Sequence, residues 1–166
     1  AAVSNAGGLG IFSPTNMGAE ELRQSIRELR ELCHGNTFAV NTVPHLPRYK
    51  EHVQVVIEER VPVFSHGLGN PFAVFGKSTP HQIIRMPSVG SVKQAIKAEQ
   101  EGADALIVSG TEAGGHCGYI STLVLVPLVV SRVKIPVVAS GGFGDGGGLV
   151  AALALGADGV AMGTRF

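Results

Sequence analysis

Gly102-Ala103-Asp104-Ala105-Leu106-Ile107-Val108-Ser109-Gly110 is the stretch that decides the fold. Gly102 stops a helix that Ser91 opens, and Asp104 turns the chain. Ala105 to Ser109 is short, apolar and rich in branched residues, as a strand buried on both faces is. The junction returns as Gly156-Ala157-Asp158-Gly159, ahead of Val160-Ala161-Met162. Two matching helix-to-strand junctions mean a repeated strand-plus-helix unit. Strict alternation of the two demands parallel strands joined by helical crossovers.

On the N-terminal side, Ala1 to Ala6 reads as the tail of a helix closed by Gly7-Gly8, and Leu9 to Phe12 as a strand. Asn16 is the expected cap of the next helix, in which Leu22, Ile26, Leu29 and Cys33 recur at helical spacing. Thr37 to Asn41 is a strand. Pro47 is expected to open a helix whose apolar stripe is Val53, Val56 and Ile57. Val61 to Ser65 and Ile83 to Met86 are strands, with a short helix expected between Asn70 and Pro80. Beyond Gly110, Leu123 to Val133 reads as a buried helix with Pro127 in its first turn. Ile135 to Ser140 and Gly159 to Met162 are the last strands, and Asp145 caps the helix between them.

The reading is thus an α/β fold of the TIM (β/α)8 type. It is expected as an incomplete barrel of about seven parallel strands, the missing first strand lying before Ala1, in a single domain over residues 1–166. An open doubly wound sheet is the alternative. The barrel is preferred because every strand ends in a polar or glycine-rich loop, as active-site loops at one barrel face do.

Composition narrows the function. Charged residues are 16% of the 166, with 13 basic against 13 acidic, and no Lys/Arg cluster or Trp suggests a nucleic-acid groove. No apolar run reaches the ~18 residues of a membrane span. Cys33 and Cys117 form no Cys-x-x-Cys pair, which favours two free thiols in a reducing cytoplasm. His66 and His81 flank strands without the spacing of a metal centre, and His34, His45 and His52 read as solvated.

The strand at Ala105 runs into Thr111-Glu112-Ala113-Gly114-Gly115-His116-Cys117-Gly118. Glycines let a flat ligand approach the backbone, and His116 is the residue there that trades protons near neutral pH. The plainer reading makes His116 an ordinary loop histidine. Glu112 is either its partner or a solvent-facing carboxylate. Two later strand ends, Ser140-Gly141-Gly142 and Met162-Gly163-Thr164, offer bare backbone N–H groups and a hydroxyl where barrels commonly hold phosphate. No Gly-Lys-Ser/Thr follows Gly141 to Gly148, so the run is not a Walker loop, and a mononucleotide such as FMN is the expected ligand.

Gly102 to Ala105 running through Glu112-Ala113-Gly114-Gly115-His116, and Pro136 to Phe143 through Met162-Gly163-Thr164-Arg165-Phe166, resemble the FMN-dependent nitronate monooxygenases, formerly called 2-nitropropane dioxygenases. The same motifs are shared with the flavin-dependent enoyl-acyl carrier protein reductase II. The resemblance implies a (β/α)8 barrel with FMN at the strand ends. Gly141, Gly142, Gly163 and Thr164, flanked by Ser140 and Met162, would hold its phosphate. Asn41, Gly114 and Gly115 would lie near the flavin ring or ribityl chain, and His116 would be the catalytic base. The family's first strand and its segment beyond Phe166 are absent here, so the chain reads as a fragment.

Three functions follow. The first is oxidation of alkyl nitronates or nitroalkanes to carbonyl compounds and nitrite with O2. The second is NAD(P)H-dependent reduction of an enoyl thioester through the same flavin. The third is a truncated barrel without catalysis. The expected partners are a small-molecule substrate and O2, with no metal, nucleic acid or membrane; a homo-oligomer is left open.

Overall fold

The computed structural model describes residues 1–67, 83–115 and 117–166. The chain is α/β, of incomplete (β/α)8-barrel type, with seven parallel strands among the described residues. It divides into two compact units, Ala1–Arg85 and Met86–Phe166.

The first unit holds α1 (Ala2–Asn5), β1 (Gly10–Phe12), α2 (Ala19–Leu32), β2 (Phe38–Thr42), α3 (Tyr49–Glu58) and β3 (Val63–His66). β2 lies between β1 and β3, with Val40 opposite Phe64 and Asn41 opposite Ser65. Side chains alternate along a strand. Phe38, Val40 and Phe64 therefore face α2 and α3 and pack with Leu22, Ile26, Val53 and Val56, while Asn41 and Ser65 fall on the opposite face. At the surface, Arg23 pairs with Glu58 at 2.6 Å and Arg27 with Glu59 at 2.8 Å, tying α2 to the end of α3.

The second unit holds β4 (Ile84–Val89, whose first two residues belong to unit one), α4 (Val92–Gln100), β5 (Leu106–Ser109), α5 (Thr122–Val130), β6 (Val137–Ser140), α6 (Gly146–Ala154) and β7 (Gly159–Ala161). The four strands are parallel neighbours in chain order. Val89, Leu106, Val108, Val137 and Ala139 pack against Leu125, Val126, Val129 and Ala152 of the helices. Ser88, Ser109 and Ser140 thus share the face turned away from them, and the Ser88 and Ser109 hydroxyls lie 3.0 Å apart.

The repeated junction has one geometry. Gly102 and Gly156 sit at φ +86° and +89°. Their N–H groups bond to Glu99 and Leu153, and the next residues, Ala103 and Ala157, bond back to Ala98 and Ala152 at 3.0 Å. This is the Schellman ending, and its left-handed residue is the reason for glycine. Arg60 occupies the same place after α3 at φ +50°, with Val61 N–H bonding to the Val56 carbonyl. The expected caps Ser91 and Asp145 accept from Gln94 and Gly148 at 3.3 and 2.8 Å.

Several expectations are corrected. Asn16 does not cap α2; Pro14 to Met17 forms a turn, extended Gly18 is the N-cap, and Glu21 reaches back to its N–H. Pro47 precedes α3 in a turn closed from Tyr49 to Leu46, and Arg48 is the cap. Pro127 is the sixth residue of α5, past its first turn. α5 is half covered: Leu123, Val124 and Leu128 are exposed. β4 continues through Pro87 to Val89. His52 is fully buried; its Nε2 lies 2.9 Å from the Met17 carbonyl and its Nδ1 3.5 Å from the Thr42 hydroxyl. The helix expected between Asn70 and Pro80, and His81, lie outside the described residues.

Candidate active site

β5 ends at Ser109, and Gly110 opens the loop that carries Gly114 and Gly115. The loop folds back at once: Ala113 N–H bonds to the Gly110 carbonyl at 3.0 Å, and Thr111 N–H to the Ile120 carbonyl at 3.1 Å. Gly110 N–H bonds to the carbonyl of Ser140, the last residue of β6, at 3.2 Å, so the loop starts against the neighbouring strand end. Backbone packing leaves no room for side chains here. A Cβ on Gly110 would sit 2.3 Å from the Thr122 nitrogen, and one on Gly141, at φ +111°, 2.8 Å from the Ala113 nitrogen. At the loop's far end, a Cβ on Gly118 would stand 2.1 Å from the Gly90 carbonyl oxygen beyond β4.

Glu112 joins these pieces. Its Oε2 accepts from the Thr122 N–H at 2.8 Å, the Thr122 hydroxyl at 2.7 Å and the Thr111 hydroxyl at 3.3 Å. Thr122 is the first residue of α5, whose N-cap Ser121 makes no side-chain bond of its own. The carboxylate therefore fills the cap from a distance, where a helix start favours negative charge. The Thr122 N–H, then its hydroxyl, hold the Glu112 carboxyl below the usual range. Of the two readings left open by the sequence, neither names Thr122, and the hydrogen bonds do.

In unit two the residues expected at the site fall together as follows. Gly114 and Gly115 lie on the loop, both exposed, and a Cβ at either would meet nothing within 4 Å. Ser140 ends β6, its carbonyl taken by Gly110 and by the Thr122 hydroxyl at 3.3 Å. Gly141 and Gly142 follow at φ +111° and +81°, and a Cβ on Gly142 would lie 3.6 Å from the Glu112 Cβ. Met162, Gly163 and Thr164 follow β7, which pairs with β6; Gly163 faces open space and its carbonyl accepts from Phe166 in a turn. Asn41, half-buried near the end of β2, belongs to unit one. His116 lies outside the described residues. Thr122, Ser88 and Ser109 are residues of this region that sequence reasoning missed.

Glycine-lined, sterically open loops at the C-terminal ends of consecutive parallel strands define the ligand-binding end of a (β/α)8-type chain. The sequence profile of the nitronate monooxygenase family matches residues 36–166. The chain belongs to that family, whose members are oxidoreductases. It is 43% identical, over all of its length and 47% of the other's, to "(3aS,4S,5R,7aS)-5-hydroxy-7a-methyl-1-oxo-octahydro-1H-indene-4-carboxyl-CoA dehydrogenase" of Rhodococcus jostii. Among solved structures, FabK from Thermotoga maritima superposes with a TM-score of 0.93 at 45% identity, over 99% of this chain and 52% of its own. The nitroalkane oxidase of Streptomyces ansochromogenes gives 0.87 at 30% identity, over 98% and 59%. The chain spans about half the length of the relatives it matches.

Among the described residues no helix is long and apolar enough to cross a membrane, and no three His, Cys, Asp or Glu side chains are grouped to hold a metal ion.

Proposed function

We propose that the protein containing this chain oxidises alkyl nitronates or nitroalkanes to carbonyl compounds and nitrite with O2, using FMN, and that residues 1–166 belong to one FMN-binding domain. The observation that carries the reading is the open glycine loop at Gly114-Gly115 beside Ser140-Gly141-Gly142, in a chain of the nitronate monooxygenase family. These residues fit the group. A flat ring needs backbone without side chains, which Gly114 and Gly115 supply; a phosphate needs backbone N–H groups, and Gly142, Gly163, which faces open space, and Thr164 are assigned to it. Ser140, Gly141 and Met162 shape that phosphate end, and Asn41 is assigned to the ring or ribityl chain.

FMN, when bound, supplies the redox chemistry between substrate and O2. The chain's own part is to bind, orient and move one proton. A neutral imidazole of His116 takes the proton from the carbon bearing the nitro group, leaving the nitronate anion. Cys33 and Cys117 are both free, which accords with a cytoplasmic setting.

In the full natural chain, His116→Ala should keep FMN but lose turnover on neutral nitroalkane by ~100- to 10,000-fold. Preformed nitronate has already lost its proton, so its turnover should fall less. Equal loss on both substrates, or on neither, removes the general-base role. The motifs from Gly102 to His116 and from Pro136 to Phe166, shared with the flavin-dependent enoyl-acyl carrier protein reductase II, support a second reading, reduction of an enoyl thioester with NAD(P)H. NAD(P)H consumption with an enoyl thioester, and none with nitronate, would select it. A purified full-length protein that carries no flavin and takes none up would leave the non-catalytic reading.

A further inference from the structure

Glu112 lies at the centre of a set of contacts around the start of the glycine loop in unit two. Its carboxylate accepts two hydrogen bonds from Thr122. Thr122 is buried, and its hydroxyl lies 3.3 Å from the Ser140 carbonyl as well as 2.7 Å from Glu112. The missing Cβ of Gly141 would be 2.6 Å from that same hydroxyl oxygen. One carboxylate thus fixes, through one threonine, the end of β6, the start of α5 and the turn that precedes Gly114. Charge-assisted bonds of 2.7 and 2.8 Å are the strong kind, and they act between segments ten residues apart in the chain.

We propose that Glu112 is a positioning residue: through Thr122 it holds the Glu112-Ala113 turn, and with it the start of the Gly114-Gly115 loop, against Ser140-Gly141-Gly142, so that the loop is already shaped for its ligand. The inference rests on the flavin reading above only for the identity of that ligand. A loop held in this way loses less freedom on binding, which favours both affinity and the productive geometry. A plain helix cap would instead affect stability and leave the site's chemistry alone.

The test uses the full natural chain and the variants Glu112→Ala, Glu112→Gln, Thr122→Val and Thr122→Ser. Amide hydrogen exchange over residues 111–122 is read without ligand, FMN affinity by fluorescence, and kcat and KM with an alkyl nitronate. Glu112→Ala and Thr122→Val should each speed exchange at the loop and at Thr122 about tenfold and weaken FMN by a similar factor, with kcat falling more than KM rises. The double variant should be little worse than either single one, because both remove the same contact. Thr122→Ser keeps the hydroxyl and should stay near the parent, while Glu112→Gln, with one acceptor oxygen left, should fall between. Unchanged exchange overturns the proposal. So does faster exchange with FMN affinity and kcat intact, since Glu112 is then a cap and nothing more. If the parent protein binds no FMN, the flavin reading fails, and the exchange pattern with the Thr122→Ser rescue still decides whether Glu112 positions the loop.

Discussion

Gly110→Ala should be among the most damaging single-methyl additions available in this chain. The new Cβ would lie 2.3 Å from the Thr122 nitrogen, 2.3 Å from its hydroxyl oxygen and 2.5 Å from its Cα. Ordinary contact begins at 3.4 Å, so backbone must part by roughly 1 Å; turning the Thr122 hydroxyl away would not relieve it, because the Thr122 nitrogen and Cα are backbone. Thr122 is held by Glu112 and Gly110 by Ser140, so the displacement also stretches hydrogen bonds. Overpacking costs ~1–3 kcal/mol and a compromised hydrogen bond ~0.5–1.5, for a total of about 3 kcal/mol. For a domain of this size that lowers Tm by about 6–12 °C. Gly144→Ala is the control, because nothing lies within 4 Å of the Cβ it would gain, and it should stay within ~0.5 kcal/mol of the parent. Thermal and urea unfolding of the full natural chain measure both. Equal melting of the two variants would refute the close approach of β5 to α5.

Arg60→Gly should stabilise the protein by about 0.5–1 kcal/mol, since the left-handed backbone costs arginine ~1–2 and glycine returns part of this as chain entropy; an unchanged or lower urea midpoint counts against it. Burial pushes the His66 imidazole down to about 4. The unfolded histidine titrates near 6.5, so the unfolded chain gains a proton that the folded chain refuses between about pH 6.5 and 4. Stability from this group is full above pH 6.5 and declines by roughly 3 kcal/mol toward pH 4. His66→Phe, set beside Phe64, should flatten that part of the pH–stability curve, and an unchanged curve would show that His66 is not its source.

What the sequence made legible are the features signalled within a few residues. Ser91 and Asp145 precede apolar periodicity and cap their helices; Gly102 and Gly156 follow it and end theirs. Boundaries failed where the signal lay elsewhere. Gly18 has no side chain to announce a cap, so Asn16 drew the assignment. α5 is apolar almost all round, which leaves its start unphased and Pro127 misplaced. His52 shares a helical face with Tyr49, Val53 and Val56, and its polarity masked its place in the core. At the site, the glycine pairs were legible as loops because glycine itself is the signal. The Glu112–Thr122 bond was not, since it depends on how the nine intervening residues fold back.

The contact between Gly90 and Gly118 sets a rule for anyone diversifying this loop. Each glycine fills the space that a side chain on the other would need: a Cβ on Gly90 would lie 2.6 Å from the Gly118 nitrogen, and one on Gly118 would lie 2.1 Å from the Gly90 oxygen. The two positions form a single unit of inheritance, although 28 residues of numbering separate them. A library that randomises Cys117 to Ile120 while fixing Gly118 keeps the seam closed. One that swaps the whole segment from a relative should carry the β4–α4 connection with it. Gly114 faces open space, but a side chain there would take the room assigned to the flat ring, so a library that is to keep the ligand leaves it glycine.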